Sequence, residues 1–207
     1  MLETAAVNHS HGAWDTGAVL ERRLVERAQN GDHVAFTQLY QRYVDDVFAY
    51  VQMRVRNVAV AEDLTQDIFM NAFRALSTFQ WHGSFAPWLL RCAHNRVANH
   101  WRTQGRRPDQ VALPGEDDGE NPTPELAGDD DDPFEHISVR LGAERVDAAM
   151  ASLTDLQQQV IALRFGAGLS LGETADLMDR SQNAVKNLQH NALAALRRRL
   201  AVEASPV

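Results

Sequence analysis

A single cysteine, Cys92, among 207 residues leaves no internal disulfide and no multi-cysteine zinc site. No apolar run approaches the roughly 18 residues that a membrane-spanning helix needs. The N-terminal stretch MLETAAVNHSHGAWDTG has neither the basic start nor the apolar block of a secretory signal. Together these absences predict a cytoplasmic protein with no membrane insertion. A glycine-rich phosphate loop and a nucleophile elbow are also missing. His94 and His100 lie six residues apart and cannot face one way as helical i, i+4 ligands do, and Cys92-x-His94 has no companions. No catalytic residue, metal or cofactor is therefore expected, and the chain reads as a non-enzyme.

Positive charge also looks scarce, with 20 Lys and Arg against 28 Asp and Glu and a net charge of -8. The deficit is local. GEDDGENPTPELAGDDDDPFE, residues 115–135, holds ten of the acids and no base, so the remainder carries 18 acids against 20 bases. This stretch lies in a segment rich in Pro and Gly and poor in large apolar side chains, which cannot bury enough surface to offset its ordering entropy. We read 105–143 as a flexible acidic linker and 1–18 as a flexible N-terminal tail.

Both flanking segments, 19–104 and 144–203, show apolar residues at helical spacing and no strand-type alternation. The expected fold is all-α, two small helical domains joined by the linker. Leu20, Leu24 and Ala28 form one predicted apolar face, ended by Gly31. Phe36, Leu39, Tyr40, Tyr43, Val47 and Val51 form the next. Ala61, Leu64, Ile68, Ala72 and Leu76 make a clean i, i+3/i+4 stripe. In the second segment Thr154 caps DLQQQVIALRF and the glycines of GAG at 166–168 break the chain. Ser170 with Glu173 forms a capping box, and Ser181 caps a longer helix after the turn DRS. A short helix, a tight turn and a longer helix make a helix-turn-helix.

Three units carry chemistry. In the long last helix Val185, Leu188, Ala192 and Leu196 point inward, leaving Gln182, Asn183, Lys186, Asn187, His190 and Asn191 outward. Amides pair with adenine and Lys reaches guanine or phosphate, as major-groove reading requires; a helical hairpin with a solvated polar face has the same pattern. The stretch FQWHGSFAPWLLRCAHNRVANHWR, residues 79–102, concentrates Trp81, Trp88 and Trp101 with Phe79 and Phe85 among arginines. Its first part is a predicted loop with a turn at Gly83. From Pro87 a helix puts Leu89, Ala93, Val97 and Trp101 on one row and Arg91, Asn95, Ala98 and Arg102 on another. Aromatics beside bases suit unstacked single-stranded nucleotides, and they equally suit a small packed core. Finally, AEDLTQDIFMNAF adds to its apolar stripe a second row of Asp63, Gln66, Asp67, Met70 and Asn71. That row fits either a protein partner or ordinary solvated helix chemistry.

Taken in order, AFTQLYQRYVDDVFAYV, AEDLTQDIFMNAFRAL and FAPWLLRCAHNRVANHWR resemble region two of the extracytoplasmic-function sigma factors, small bacterial RNA polymerase subunits. LTDLQQQVIALRFGAGLSLGETADLM with NAVKNLQHNALAALRRRL resembles their region four. The resemblance implies a protein that binds core RNA polymerase and directs promoter-specific initiation, the polymerase doing the chemistry. It implies that Asp63, Gln66, Asp67 and Asn71 dock on the β′ clamp helices and that the second domain meets the β flap. Phe79, Trp81, His82, Phe85 and Trp88, with Arg91, Asn95 and Arg102, would serve the melted -10 element, with a flipped base held by the 77–87 loop. Gln182, Asn183, Lys186, Asn187, His190 and Asn191 would read the -35 element. An anti-sigma factor is an implied partner. The reading helix is less basic than many relatives', and the linker is longer and more acidic than a minimal member needs; it is either a tether or a nucleic-acid mimic in the polymerase channel. The alternative function is a free-standing helix-turn-helix regulator, which would leave the 61–76 outer row and the aromatic loop without a role.

Overall fold

The computed structural model describes residues 14–105 and 143–202, with side chains over 18–105 and 145–201. The acidic linker and most of the N-terminal tail lie outside these. Every described element is helical. The first lobe comprises α1 (Trp14–Gln29), α2 (His33–Val55), α3 (Val58–Ala75), a 3-10 turn (Leu76–Thr78) and α4 (Ala86–Thr103). The second comprises α5 (Ala143–Ala151), α6 (Asp155–Ile161), a π turn (Ala162–Gly166), α7 (Leu171–Met178) and α8 (Gln182–Val202). α1 begins at Trp14, inside the stretch expected to be tail.

Local chemistry explains the boundaries. The Asp32 carboxylate accepts from the amides of Val34 and Ala35 at the start of α2, which holds its pKa below the ordinary value, helped by Arg27. Asn57 caps α3 through Val60 N, and Pro87 stands in the first turn of α4. All three predicted caps of the second lobe form, and two of them, Thr154 with Gln157 and Ser170 with Glu173, are reciprocal capping boxes. Asp179 takes the left-handed φ of 54° in the turn between α7 and α8, a conformation Asp tolerates better than most residues.

The α3 stripe is buried throughout, from Ala61 to Leu76, and so are Leu89, Ala93 and Val97 of α4. α1 departs from expectation. Leu20 is 52% exposed, while Glu21, Val25 and Ala28 form the buried face. Of the expected row, Ala28 is buried and Leu24 packs half-buried against the core, so only Leu20 departs; its place inside is taken by Glu21, which has polar partners there.

The two lobes are docked. Ala162, Leu163, Ala167 and Leu169 of the second lobe belong to the same apolar cluster as the first-lobe core. The π turn lies flat on α2, so closely that a Cβ on Gly166 would stand 3.1 Å from Met53 Sδ and 3.4 Å from the backbone of Ala49 and Tyr50. Beside it Arg54, only 4% exposed, donates to the Asp155 carbonyl at 3.0 Å and its carboxylate at 2.5 Å. His94 Nδ1 lies 3.3 Å from both Tyr50 Oη and Gln159 Nε2. A polar triangle from α2, α4 and α6 thus closes the seam between the lobes.

Candidate nucleic-acid interface

The first surface is the loop between the 3-10 turn and α4. Phe79, Phe85 and Trp88 pack into one aromatic cluster, with centroids 5.4 Å apart for Phe79 and Phe85, 5.1 Å for Phe79 and Trp88, and 5.3 Å for Phe85 and Trp88. Phe85 is 1% and Phe79 7% exposed. These two are core residues, which corrects the expectation that they present open faces to a base. A loop only seven residues long needs an apolar floor to be held on a small lobe, and they supply it. Trp81 is half-buried, edge-on to Phe79 at 6.2 Å, with its remaining surface outward. His82 is exposed and its Nδ1 sits 2.8 Å from the Gln80 carbonyl. Gly83, at φ 99°, turns the chain between Trp81 and the floor.

Both ends of the loop are tied to α1. The Gln29 side-chain amide donates to the carbonyls of Leu76 at 3.0 Å and Phe79 at 2.8 Å. Glu21 Oε1 accepts from Phe85 N at 2.9 Å and from the Tyr43 hydroxyl at 2.5 Å. Burial and the adjacent Glu21 carboxylate push the Tyr43 pKa upward, so the phenol keeps the proton it donates. Sequence reasoning passed over Glu21 and Gln29, since their partners are 22 to 64 residues away and no local spacing betrays them.

Along α4, Arg91, Asn95 and Arg102 are exposed. Arg91 reaches across the seam to the Asp176 carbonyl of α7 at 3.4 Å, and Arg102 donates to Asn99. The row continues the loop surface with positive charge.

On α3, Asp63, Gln66, Asp67 and Asn71 are all exposed on one side. Asp67 pairs with Arg96 of α4 at 2.7 Å, and Asn71 meets Arg74 at 3.5 Å. Met70, 54% exposed, and Phe73, 38%, add apolar surface to that side. Phe73 lies edge-on to Phe36 and against His33 of α2. A mixed acidic and apolar surface of this kind suits a protein more than a polyanion.

The third surface is on α8. Val185, Leu188, Ala192 and Leu196 are buried, and Gln182, Asn183, Lys186, Asn187, His190 and Asn191 are all exposed. Ser181 Oγ accepts from Ala184 N at 3.2 Å, so the first turn of α8 is capped and its polar side chains project from a fixed start. α7 and α8, joined by the Asp179 turn, form the helix-turn-helix pair.

No group of three or more potential metal ligands occurs among the described residues, and none of their helices is long and apolar enough to cross a membrane.

The fold defines a two-lobed helical protein whose second lobe carries a helix-turn-helix. Comparison with known proteins gives the family. The Sigma-70 region 2 family model matches residues 39–107, and the Sigma-70 region 4 model matches 149–198. The chain is 37% identical over 194 residues to the ECF RNA polymerase sigma factor BldN of Streptomyces coelicolor, covering 93% of this chain and 70% of that one. It is 32% identical over 180 residues to the ECF RNA polymerase sigma-E factor of Escherichia coli K12, covering 84% and 90% respectively. Among solved structures, CnrH in complex with the cytosolic domain of CnrY superposes with a TM-score of 0.66 at 23% identity, over 89% of this chain and 99% of that one, a likeness of fold. This protein belongs to the ECF RNA polymerase sigma factors. It acts with core RNA polymerase to direct transcription initiation at promoters, and the catalysis is the polymerase's.

Proposed function

We propose the following division of labour within this sigma factor. The first lobe, 19–104, engages core polymerase and the -10 element, and the second, 144–203, engages the -35 element and the β flap, with the acidic segment spanning them. Asp63, Gln66, Asp67 and Asn71 on α3 dock on the β′ clamp helices. The loop captures an unstacked -10 base: Trp81 supplies the stacking face, His82 and the loop backbone supply polar contacts, and Phe79, Phe85 and Trp88 form the floor. Arg91, Asn95 and Arg102 hold the neighbouring phosphates. Gln182, Asn183, Lys186, Asn187, His190 and Asn191 enter the major groove of the -35 element.

The observation that carries this reading is the half-buried Trp81 presented above an aromatic floor and beside a basic helix row, the combination that single-stranded base capture requires. An anti-sigma partner is part of this reading, supported by structures of like fold: CnrH is in complex with the cytosolic domain of CnrY, and RpoE of Bartonella quintana with the anti-sigma factor NepR. Its target here is the exposed apolar and acidic surface of α3.

In transcription reconstituted with core polymerase, Trp81→Ala and His82→Ala are expected to lower open-complex formation by about tenfold or more, the scale of one lost base stack. Core binding should be unchanged. Loss of core binding alongside melting would show that the loop is structural and overturn the assignment.

A further inference from the structure

α1 lies wholly outside the 39–107 segment matched by the region 2 family model, yet it holds the loop at both ends. Gln29 fastens the start of the loop through the Leu76 and Phe79 carbonyls, and Glu21 fastens its end through Phe85 N. The two side chains stand eight residues apart on α1, a rise of about 12 Å. Between the clamps, the side-chain hydrogen bonds of residues 80–84 among the described residues are internal or reach the start of α4: His82 with Gln80 O, and Ser84 Oγ with Ala86 N. The position of Trp81 above its floor is therefore set by where the clamps place Phe79 and Phe85.

Glu21 is the more telling of the two. It is 5% exposed, and a carboxylate is costly to bury without full hydrogen bonding. One of its oxygens takes both the Tyr43 hydroxyl and an otherwise unpaired amide at the positive end of α4. An apolar residue would pack the lobe as well, but it would leave the Phe85 amide and the Tyr43 hydroxyl unpaired. Gln29 shows the same economy at the other end, donating to one carbonyl of the 3-10 turn, Leu76, and one of the loop, Phe79.

We propose that α1 is the template on which the base-capture loop is shaped, with Glu21 and Gln29 as positioning residues for recognition of the unstacked -10 base. The proposal rests on the assignment of the loop as the base pocket. It makes an N-terminal helix outside the matched region 2 segment a determinant of -10 reading.

The test uses holoenzyme reconstituted from the full chain and core polymerase on a promoter carrying 2-aminopurine at the captured non-template position. Unstacking of the probe is read by fluorescence, and base preference is read by substituting that position. Gln29→Met removes the donors at constant length, Gln29→Glu turns oxygens toward two carbonyls, and Glu21→Gln keeps an acceptor but loses the carboxylate. Unstacking should fall about tenfold in Gln29→Met, the effect of losing paired loop hydrogen bonds, and further in Gln29→Glu. Base preference at that position should flatten, with core affinity and -35 duplex binding unchanged. If Glu21→Gln fails to fold, the half-buried Gln29 variants carry the test. Unchanged unstacking and preference in the folded variants, or an equal fall in core affinity, overturns the proposal. Trp81→Ala separates the two ideas: normal unstacking in that variant refutes the base pocket itself, whereas loss there with normal Gln29 and Glu21 variants refutes only the role of α1.

Discussion

Trp81 and Phe85 sit four residues apart in one loop, yet the structure gives them opposite work. Phe85 is enclosed by Tyr43, Phe79 and Trp88, whereas Trp81 is half-buried, packing part of its ring against the core and lying edge-on to Phe79. Phe85→Ala should therefore cost about 3 to 5 kcal/mol of stability through the cavity it leaves. Trp81→Ala should cost about 1 to 2 kcal/mol, since only part of its ring is taken out of water. Urea unfolding of the two variants checks this. Similar midpoints would mean that both rings share one environment. The sequence shows which residues are aromatic but not which ones line a floor, because a seven-residue loop has no period from which burial can be read. Glu21 illustrates the same limit from the other side: a buried acid breaks the polarity rule, and the tyrosine and amide that excuse it are supplied by other helices.

At the scale of the helix, much was legible beforehand. Capping residues act on amides two or three positions away, so Thr154, Ser170 and Ser181 could be placed from spacing alone, and all three cap as expected. The α3 stripe was likewise visible because each member faces the same core. On α1 the expected face was right at Leu24 and Ala28 and wrong at Leu20, where the buried position belongs to the neighbouring acid Glu21. α8 permits a prediction of its own. Its outward residues divide into a cation, Lys186, and amides such as Asn187, and the two should fail differently. Lys186→Ala should weaken -35 duplex binding across sequences and reduce the salt slope by about 1, the signature of a phosphate contact. Asn187→Ala should cost about 1 to 3 kcal/mol on the preferred sequence and little on others. Binding titrations at several salt concentrations distinguish them, and identical behaviour would remove Asn187 from base reading.

The docking of the lobes was beyond the sequence. Arg54, Asp155, His94 and Gln159 are unremarkable singly, and Asp155 is 101 residues from Arg54. Only the fold brings them together. His94 makes the seam pH-sensitive. Desolvation, then the nearby Arg54 charge, lowers its pKa below 6.5, with Asp155 opposing more weakly. Tyr50, pushed up to about 12 mainly by burial, stays protonated beside it. Unfolded, His94 takes up a proton near its ordinary pKa; folded, it does so only at lower pH. The stability this contributes is therefore full above the ordinary value and lost as pH falls through the folded one. Urea unfolding should show a midpoint that falls between about pH 7.5 and about pH 5.5 by less in His94→Gln than in the parent chain. An equal fall in the variant would contradict this.

Gly166 belongs to the π turn that rests on α2. A Cβ there would press on Met53 Sδ, which a flexible thioether can yield to, and would meet the α2 backbone at ordinary contact distance. Gly166→Ala is therefore expected to leave the lobes in contact, whereas a longer side chain has to wedge the π turn away from α2. Position 166 is in this sense a gauge of how much bulk the contact between the lobes accepts.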